Sequence, residues 1–412
     1  MALDTLVVVL AGGEGKRLES LTEKRLKPAV PVGGKYRLID IPLSNAKNSN
    51  TEKIYVLLQG QDWSLSNHLQ DGWYPIFGSS LRSISPQDTG TAFRGDADAV
   101  RQGIKYIERE APEIVLVVPG DHLIKMDYSR FANFLAEHDD AEAAVAIIDK
   151  PIERAADLGS VSMDDDHIIK NFAEKDADAR LQIDNRILAS MGIYAFRTEV
   201  LLGLLEETDA NYFGRELFPT LIKKGKTLGY LYSKLNNIKD YTKSEKDGKI
   251  VKELTERVSD SDYWEDLGTI ETYYNASMDL VGITPRFNLY GEKWPFYTYE
   301  RHLGPSKITR QEKNINDVIC CDGTILSNVE ATRCVFSPNV QIEDSTLEGV
   351  IVFNDTIIKG STIRSTIIDK GSRVYNVRIG YDIEDDERRG IYIDKDSGIR
   401  VVRRNSMLSQ ES

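Results

Sequence analysis

Two groups of residues have the types and spacing to act on a phosphate. The first is the run from Leu10 and Ala11 through Gly12, Gly13, Glu14 and Gly15 to Lys16 and Arg17. Bare backbone N–H groups approach a phosphate closely only where no Cβ intervenes, and turns of that kind use φ > 0. The two cations add the charge a polyphosphate requires. A second basic segment follows, with Lys24, Arg25 and Lys27. The other group is a pair of aspartates beside glycine, Asp121 after Gly120 and Asp266 two residues before Gly268. Phosphoryl or nucleotidyl transfer needs positioned reactants and charge neutralisation around phosphorus, usually by Mg²⁺ held on carboxylates. Asp121 and Asp266 are the metal candidates, although a lone loop aspartate more commonly caps a helix or turn.

Two familiar phosphate loops fit this chain badly. The dinucleotide fingerprint wants glycine where Leu18 stands, and the P-loop wants Ser or Thr where Arg17 stands. A glycine-rich strand-to-helix turn with solvated cations is the plainer alternative.

The elements that must position these residues alternate. Strand-like runs at Ile54–Leu58, Ile114–Val118, Ala143–Ile148, Leu188–Phe196 and Thr227–Tyr232 are interleaved with helical segments. The helices are expected at Asp98–Arg109, Tyr128–His138, Thr198–Glu207, Gly214–Lys224 and Thr269–Val281. That order reads as a mainly parallel sheet with helices on both faces, whose ligands gather at the carboxyl ends of the strands. Asn236 to Asp262 is charged and reads as a surface excursion. Residues 284–317 read as a linker wrapping the first domain, 1–283. From 318 to 412 the pattern changes. Aliphatic residues recur at Ile342, Leu347, Val352, Ile357 or Ile358, Ile363, Ile368, Val374 and Ile379. A spacing of five or six is wrong for a helix and suits the hexapeptide repeat of a left-handed parallel β-helix. The tail after Asp382 is charged and either folds back or stays loose.

Composition narrows the partners. A chain of 412 residues exceeds what one core usually spans, and 41% hydrophobic content supports packed cores. The formal net charge of −13 leaves no basic excess to displace counterions from nucleic acid. An anionic substrate must instead be met by clustered cations or by metal. Three cysteines, Cys320, Cys321 and Cys334, suit a reducing cytoplasm better than a disulfide framework. No signal peptide or membrane span is visible in the sequence.

In combination the motifs resemble the sugar-1-phosphate nucleotidyltransferases. The residues that carry the resemblance are Leu10 to Leu18, Lys24 to Val30, Gly33 to Asp40, Leu43 to Asn45, Gly95 to Val100, Gly120 to His122, Lys125 to Tyr128, Glu174-Lys175, Ala189 to Tyr194, Tyr263 to Thr269 and Phe287 to Tyr290. They run in order over nearly the whole chain. The resemblance implies an α/β fold, a Rossmann-like mixed sheet of GT-A-like type followed by a left-handed parallel β-helix. It implies transfer of the AMP moiety of ATP to glucose 1-phosphate with release of pyrophosphate, for glycogen or α-glucan synthesis.

The same resemblance assigns roles. Asp121 and Asp266 are expected to hold Mg²⁺, with Asp121, Arg17 and Lys27 as catalytic residues. Leu10 to Gly13, Gly15, Lys16, Gly95 and Asp98 belong to the nucleotide site. Lys175 is expected to face the sugar phosphate, with Glu174 and Ser190 near the sugar hydroxyls. Lys24 and Arg25 are read either as a site for a phosphorylated-metabolite effector or, for Arg25, as part of a surface ion pair. A homotetramer assembled through the β-helix is expected. With every histidine before Val318, that domain reads as a regulatory and oligomerisation module rather than an acyltransferase.

The chain departs from the family pattern at several places. Asp96 stands where a small hydroxyl residue is usual, Ala92-Phe93 replaces Trp-Tyr, and Ser85 to Gly90 lacks the Gln-Gln-Arg run. Asp176 replaces the proline of Glu-Lys-Pro, and Tyr212 replaces the aspartate of Asp-Phe-Gly, a carboxylate expected to bond glucose. These changes leave the metal and triphosphate machinery intact. They leave open another sugar 1-phosphate or nucleotide, or a non-catalytic regulatory subunit, against which retention of Asp121 and Asp266 argues.

Overall fold

The computed structural model describes residues 3–13, 15–60, 62–154, 158–174, 182–183, 185–310 and 313–410. Continuous apolar runs make strands that are buried on both faces. In the Thr5–Leu10 strand, Leu6 and Val8 enter one core while Val7 and Val9 enter the other. This strand is central in the large sheet, parallel to Lys53–Leu57 on one side and to Ile114–Pro119 on the other. The chain first builds outward through Lys53–Leu57 to Leu81–Ile84, then crosses back to Ile114–Pro119. That reversal opens a crevice beyond the carboxyl ends of Thr5–Leu10 and Ile114–Pro119. Both phosphate-directed groups stand there.

The expectation of a mainly parallel sheet fails past this point. Arg186–Arg197 runs antiparallel to Ile114–Pro119, Ala143–Pro151 and Gly159–Met163, and only Thr227–Leu231 returns parallel, beside Ala143–Pro151. Antiparallel neighbours need no crossover helix. The segment between Ala143–Pro151 and Arg186–Arg197 instead supplies the short antiparallel strands Gly159–Met163 and Ile169–Glu174. The sheet is therefore mixed.

Helix boundaries shift for local reasons. The helix expected over Asp98–Arg109 forms as two, Asp96–Gln102 and Ile104–Glu110, broken at Gly103. Glycine carries the largest entropic cost inside a helix. The segment expected as Gly214–Lys224 begins as a wide turn, Phe213–Leu217, and continues as Phe218–Lys224. Ile270–Asp279 starts where the Thr269 hydroxyl accepts the Thr272 N–H.

The charged excursion is a hairpin, Asp240–Lys246 with Lys249–Thr255. Its tip is exposed but its base is not. Asn236 and Asp260 are buried, and Lys125 Nζ lies 2.7 Å from Asp260. The 284–317 stretch packs on the first core, with Trp294 Nε1 donating to Asn45 Oδ1 at 3.0 Å. Parallel stacking starts inside it, where Lys307–Thr309 pairs with Ile325–Ser327.

Beyond that point the strands stack in coils. Leu347 pairs with Ile363 and Ile363 with Ile379, a repeat of 16 residues. The aliphatic residues singled out by spacing are buried at every position, and between Ile357 and Ile358 it is Ile358 that is fully buried. Asn328, Asp344, Gly360 and Asn376 take φ > 0 at successive corners; these residue types tolerate that region. The tail folds back. Arg400–Val402 and Met407–Leu408 add parallel strands to Thr362–Ile368 and Arg373–Tyr375. One core joins the two parts of the chain, since Val335, Ile351, Ile367 and Val401 pack in the same cluster as Leu18, Leu21 and Val30.

Candidate active site

The glycine run leaves the sheet still tied to it. Ala11 N–H donates to the Leu57 carbonyl and Gly120 N–H to the Leu10 carbonyl, each at 2.9 Å. Gly12 and Gly13 donate no backbone hydrogen bond among the described residues. Their N–H groups are left for a ligand, and a phosphate oxygen is the fitting acceptor. Gly15 has φ 66°, and a Cβ there would lie 2.9 Å from both Lys27 Cβ and Thr22 Cγ2. Its carbonyl accepts from Leu18 N–H and from the Thr22 hydroxyl. The short helical turn Lys16–Leu21 follows, with Lys16 and Arg17 exposed. Glu14 and Lys175 lie outside the described residues.

The two aspartates come together through a two-stranded ladder in which Trp264–Asp266 pairs antiparallel with His122–Ile124, setting Asp266 opposite His122. Lys27 Nζ lies between them, 2.8 Å from Asp121 Oδ2 and 2.7 Å from Asp266 Oδ1. Burial opposes the ammonium charge, but the two carboxylates outweigh it and raise the Lys27 pKa. Burial likewise opposes the Asp266 carboxylate, yet Lys27, His122 and Arg17 hold its pKa down at about 2. Arg17 Nη2 reaches this cluster, since a Cβ on Gly268 would lie 2.8 Å from it. Two carboxylates converging beside a phosphate loop fit Mg²⁺, which takes one or two protein carboxylates and completes its shell with water and phosphate. No group of three or more His, Cys, Asp or Glu side chains among the described residues is arranged to hold a metal ion by itself.

Sequence motifs did not single out His122 as a site residue. Its Nε2 is 3.8 Å from Asp121 and 3.9 Å from Asp266, and its Nδ1 accepts from Trp264 Nε1 at 3.1 Å. The neutral ring therefore carries its proton on Nε2, facing the carboxylates. The available signal was its position next to Asp121.

The Arg186–Arg197 strand approaches this cluster at Gly192, where a Cβ would lie 3.9 Å from the His122 ring. The long strand Arg186–Arg197 has an irregular register between Ser190 and Tyr194, where Gly192 takes φ 67°. Ser190 Oγ accepts from Gly192 N–H and touches the Tyr194 hydroxyl. Glu174 sits against two glycines. A Cβ on Gly159 would come within 2.7 Å of Glu174 Oε2, and one on Gly214 would collide outright. Gly95 is fixed by close approach rather than by φ, because its side-chain position is filled by the Asn211 carbonyl. Asp98 is buried among Arg94, Arg101 and Gln102 at 2.8, 3.1 and 2.9 Å and accepts the Arg94 N–H. Burial opposes its charge, but these donors hold its pKa at about 2. The structure thus places Asp98 as a brace for the Gly95 turn, with its carboxylate turned to protein donors.

Lys24 and Arg25 stand apart from this cluster. They line a cavity of about 1130 Å³ with Arg37, Lys370 and Arg404, between the first domain and the β-helix. Arg25 Nη2 bonds both Asp369 oxygens at 2.6 and 2.8 Å, a buried pair rather than a surface one, while its Nη1 is buried without a partner.

A phosphate loop at the switch point of a mixed sheet, facing two carboxylates and a buried lysine, is the architecture of a nucleotidyltransferase. The nucleotidyl transferase family model matches residues 6–282, and the chain belongs to that family. A GlmU-like C-terminal hexapeptide model matches residues 305–402. Three bacterial proteins named glucose-1-phosphate adenylyltransferase are similar over nearly full length. That of Rhodopirellula baltica is 35% identical, covering 99% of this chain and 92% of the relative. That of Hydrogenovibrio crunogenus is 36% identical over 97% and 93%. That of Bifidobacterium longum is 36% identical over 98% of each.

Proposed function

We propose that this chain transfers the adenylyl group of ATP to glucose 1-phosphate. An oxygen of the sugar phosphate attacks the α-phosphorus in line, the bond from that phosphorus to the bridging β-oxygen breaks, and pyrophosphate leaves. The observation that carries this reading is the convergence of Gly12, Gly13, Arg17, Lys27, Asp121 and Asp266 on one crevice. The free N–H groups of Gly12 and Gly13 bind the triphosphate, and Arg17 neutralises charge that builds on the leaving pyrophosphate. Lys27 spans both carboxylates in the absence of substrate and is placed to move onto an α-phosphate oxygen. Mg²⁺ held by Asp121 and Asp266, when bound, would supply further neutralisation of the phosphates. Glu174 and Ser190 orient the sugar, with Lys175 toward its phosphate.

We further propose that the cavity lined by Lys24 and Arg25 takes a phosphorylated metabolite. Two of its guanidinium groups, those of Arg25 and Arg404, keep a buried N–H without a partner among the described residues. Burial, together with Arg404, Arg25 and Arg37, lowers the Lys370 pKa to about 8, a crowding of cations that an anion relieves. A cytoplasmic homotetramer joined through the β-helix, with Mg²⁺ as cofactor, completes the reading. The test is a matrix of nucleoside triphosphates against sugar 1-phosphates, scored for pyrophosphate with and without Mg²⁺. ATP with glucose 1-phosphate is expected to give the highest Mg²⁺-dependent rate. No turnover in any cell of the matrix would overturn the reading in favour of a regulatory subunit.

A further inference from the structure

The two sequence departures at Asp96 and Tyr212 are neighbours in the fold. Asp96 Oδ1 accepts the Phe213 N–H at 3.0 Å and the Ala97 N–H at 2.8 Å. The Asn211 carbonyl takes the Ala97 N–H at 2.9 Å, so residues 211–213 are strapped to the start of the Asp96–Gln102 helix. Gly95 makes this approach feasible, since any Cβ there would overlap the Asn211 carbonyl and press on the Tyr212 ring. Asp96 Oδ2 accepts no hydrogen bond from another described residue. The phenol of Tyr194, bonded to Ser190, lies within electrostatic reach of both Asp96 and Glu174. Asp96, Glu174 and Ser190 therefore gather as one wall around Tyr194, on the strand whose Gly192 turn comes up to the His122 ring.

That wall is the wrong sign for a phosphate. A carboxylate such as that of Asp96 repels one, whereas its oxygen is a strong acceptor for a hydroxyl. The substrate's phosphate belongs on the cationic side and its neutral, hydroxyl-bearing part on the acidic side. Position 212 offers no carboxylate: Tyr212 is 42% exposed, with the Arg215 guanidinium 5.8 Å from its ring centre.

We propose that Asp96 is a specificity-determining residue of this site, its Oδ2 accepting a hydrogen bond from a hydroxyl of the sugar 1-phosphate. Burial, assisted by Glu174 and opposed by the Phe213 and Ala97 N–H groups, raises its carboxyl to about 6, so the acceptor is ionised at neutral pH and above. The inference rests on the proposed sugar 1-phosphate site.

The test compares wild type and Asp96→Asn in full-length protein at pH 8, with ATP and either glucose 1-phosphate or glucosamine 1-phosphate. The asparagine oxygen keeps the bonds to Ala97 and Phe213, while its NH₂ cannot accept from a hydroxyl. Loss of a hydrogen bond to a charged group predicts a KM for glucose 1-phosphate raised about tenfold or more. The KM for ATP should stay within about twofold and the melting temperature should not fall, since the strap is retained. An unchanged KM for glucose 1-phosphate would overturn the proposal and leave Asp96 as a backbone strap only. A wild-type preference for glucosamine 1-phosphate would also overturn it, showing a wall built for an ammonium. A wild-type protein without turnover on either sugar would instead contradict the proposed function itself.

Discussion

At the scale of single residues, the crevice is organised by which charges are paired and which are left to the ligand. Lys27, Asp121 and Asp266 satisfy one another, and Asp98 is consumed by arginines and glutamine. Asp96 is different, because its environment disfavours its charge. Its pKa stands at about 6 in the folded chain against 3.8 for the free side chain. The native state therefore binds more protons than the unfolded state between those values, and stability falls as pH rises through that window. Asp96→Asn removes this dependence. In urea unfolding the variant should exceed wild type by about 3 kcal/mol at pH 8, with the gap nearly closed by about pH 4; a constant gap across pH would contradict the assignment. Residue chemistry was legible in the sequence where type and glycine spacing sufficed, as at Gly12, Gly13, Asp121 and Asp266. It was not legible for Asp98, whose partners Arg94, Arg101 and Gln102 are local in sequence but whose burial depends on the 208–213 segment packing over them. Nor was the pairing of Asp96 with Phe213 visible, since the two lie far apart in the chain.

At the scale of elements, the site depends on three backbone devices: the left-handed turn at Gly15, the ladder that sets Asp266 opposite His122, and the register shift at Gly192. A Gly15→Ala change meets both the unfavourable φ and the Lys27 side chain. The strain should cost about 1–3 kcal/mol, and displacement of Lys27 should lower kcat by about tenfold or more. Denaturant unfolding and pyrophosphate release measure the two effects separately, and a stable variant with unchanged kcat would contradict the role of that turn. Strands were readable from apolar runs, and the β-helix from its aliphatic spacing, because both patterns are local. The antiparallel course of Arg186–Arg197 was not, since pairing direction is decided by neighbours distant in sequence. The same limit hid the burial of Asp260 and Asn236 under the charged hairpin.

At the scale of the whole molecule, the first domain and the β-helix share a core and a buried ion pair, so the cation-lined cavity between them is held by contacts from both. Asp369→Asn removes the charge that balances Arg25 in a dry setting. Breaking such a pair should destabilise by about 3–5 kcal/mol, read as a lower melting temperature, and an unchanged melt would show the pair to be dispensable to the junction. The order of the domains was legible from the change of periodicity near Val318, whereas their junction was not, because Arg25 and Asp369 are separated by 344 positions. The account as a whole rests on the crevice being a nucleotidyl-transfer site in which Asp121 carries charge that the triphosphate and its metal need. The most direct measurement is steady-state pyrophosphate release from ATP and glucose 1-phosphate by wild type and Asp121→Asn, each with its melting curve. The account predicts Mg²⁺-dependent turnover in wild type and a loss of about a thousandfold or more in the variant, with the fold intact. Wild-type turnover in Asp121→Asn would contradict it.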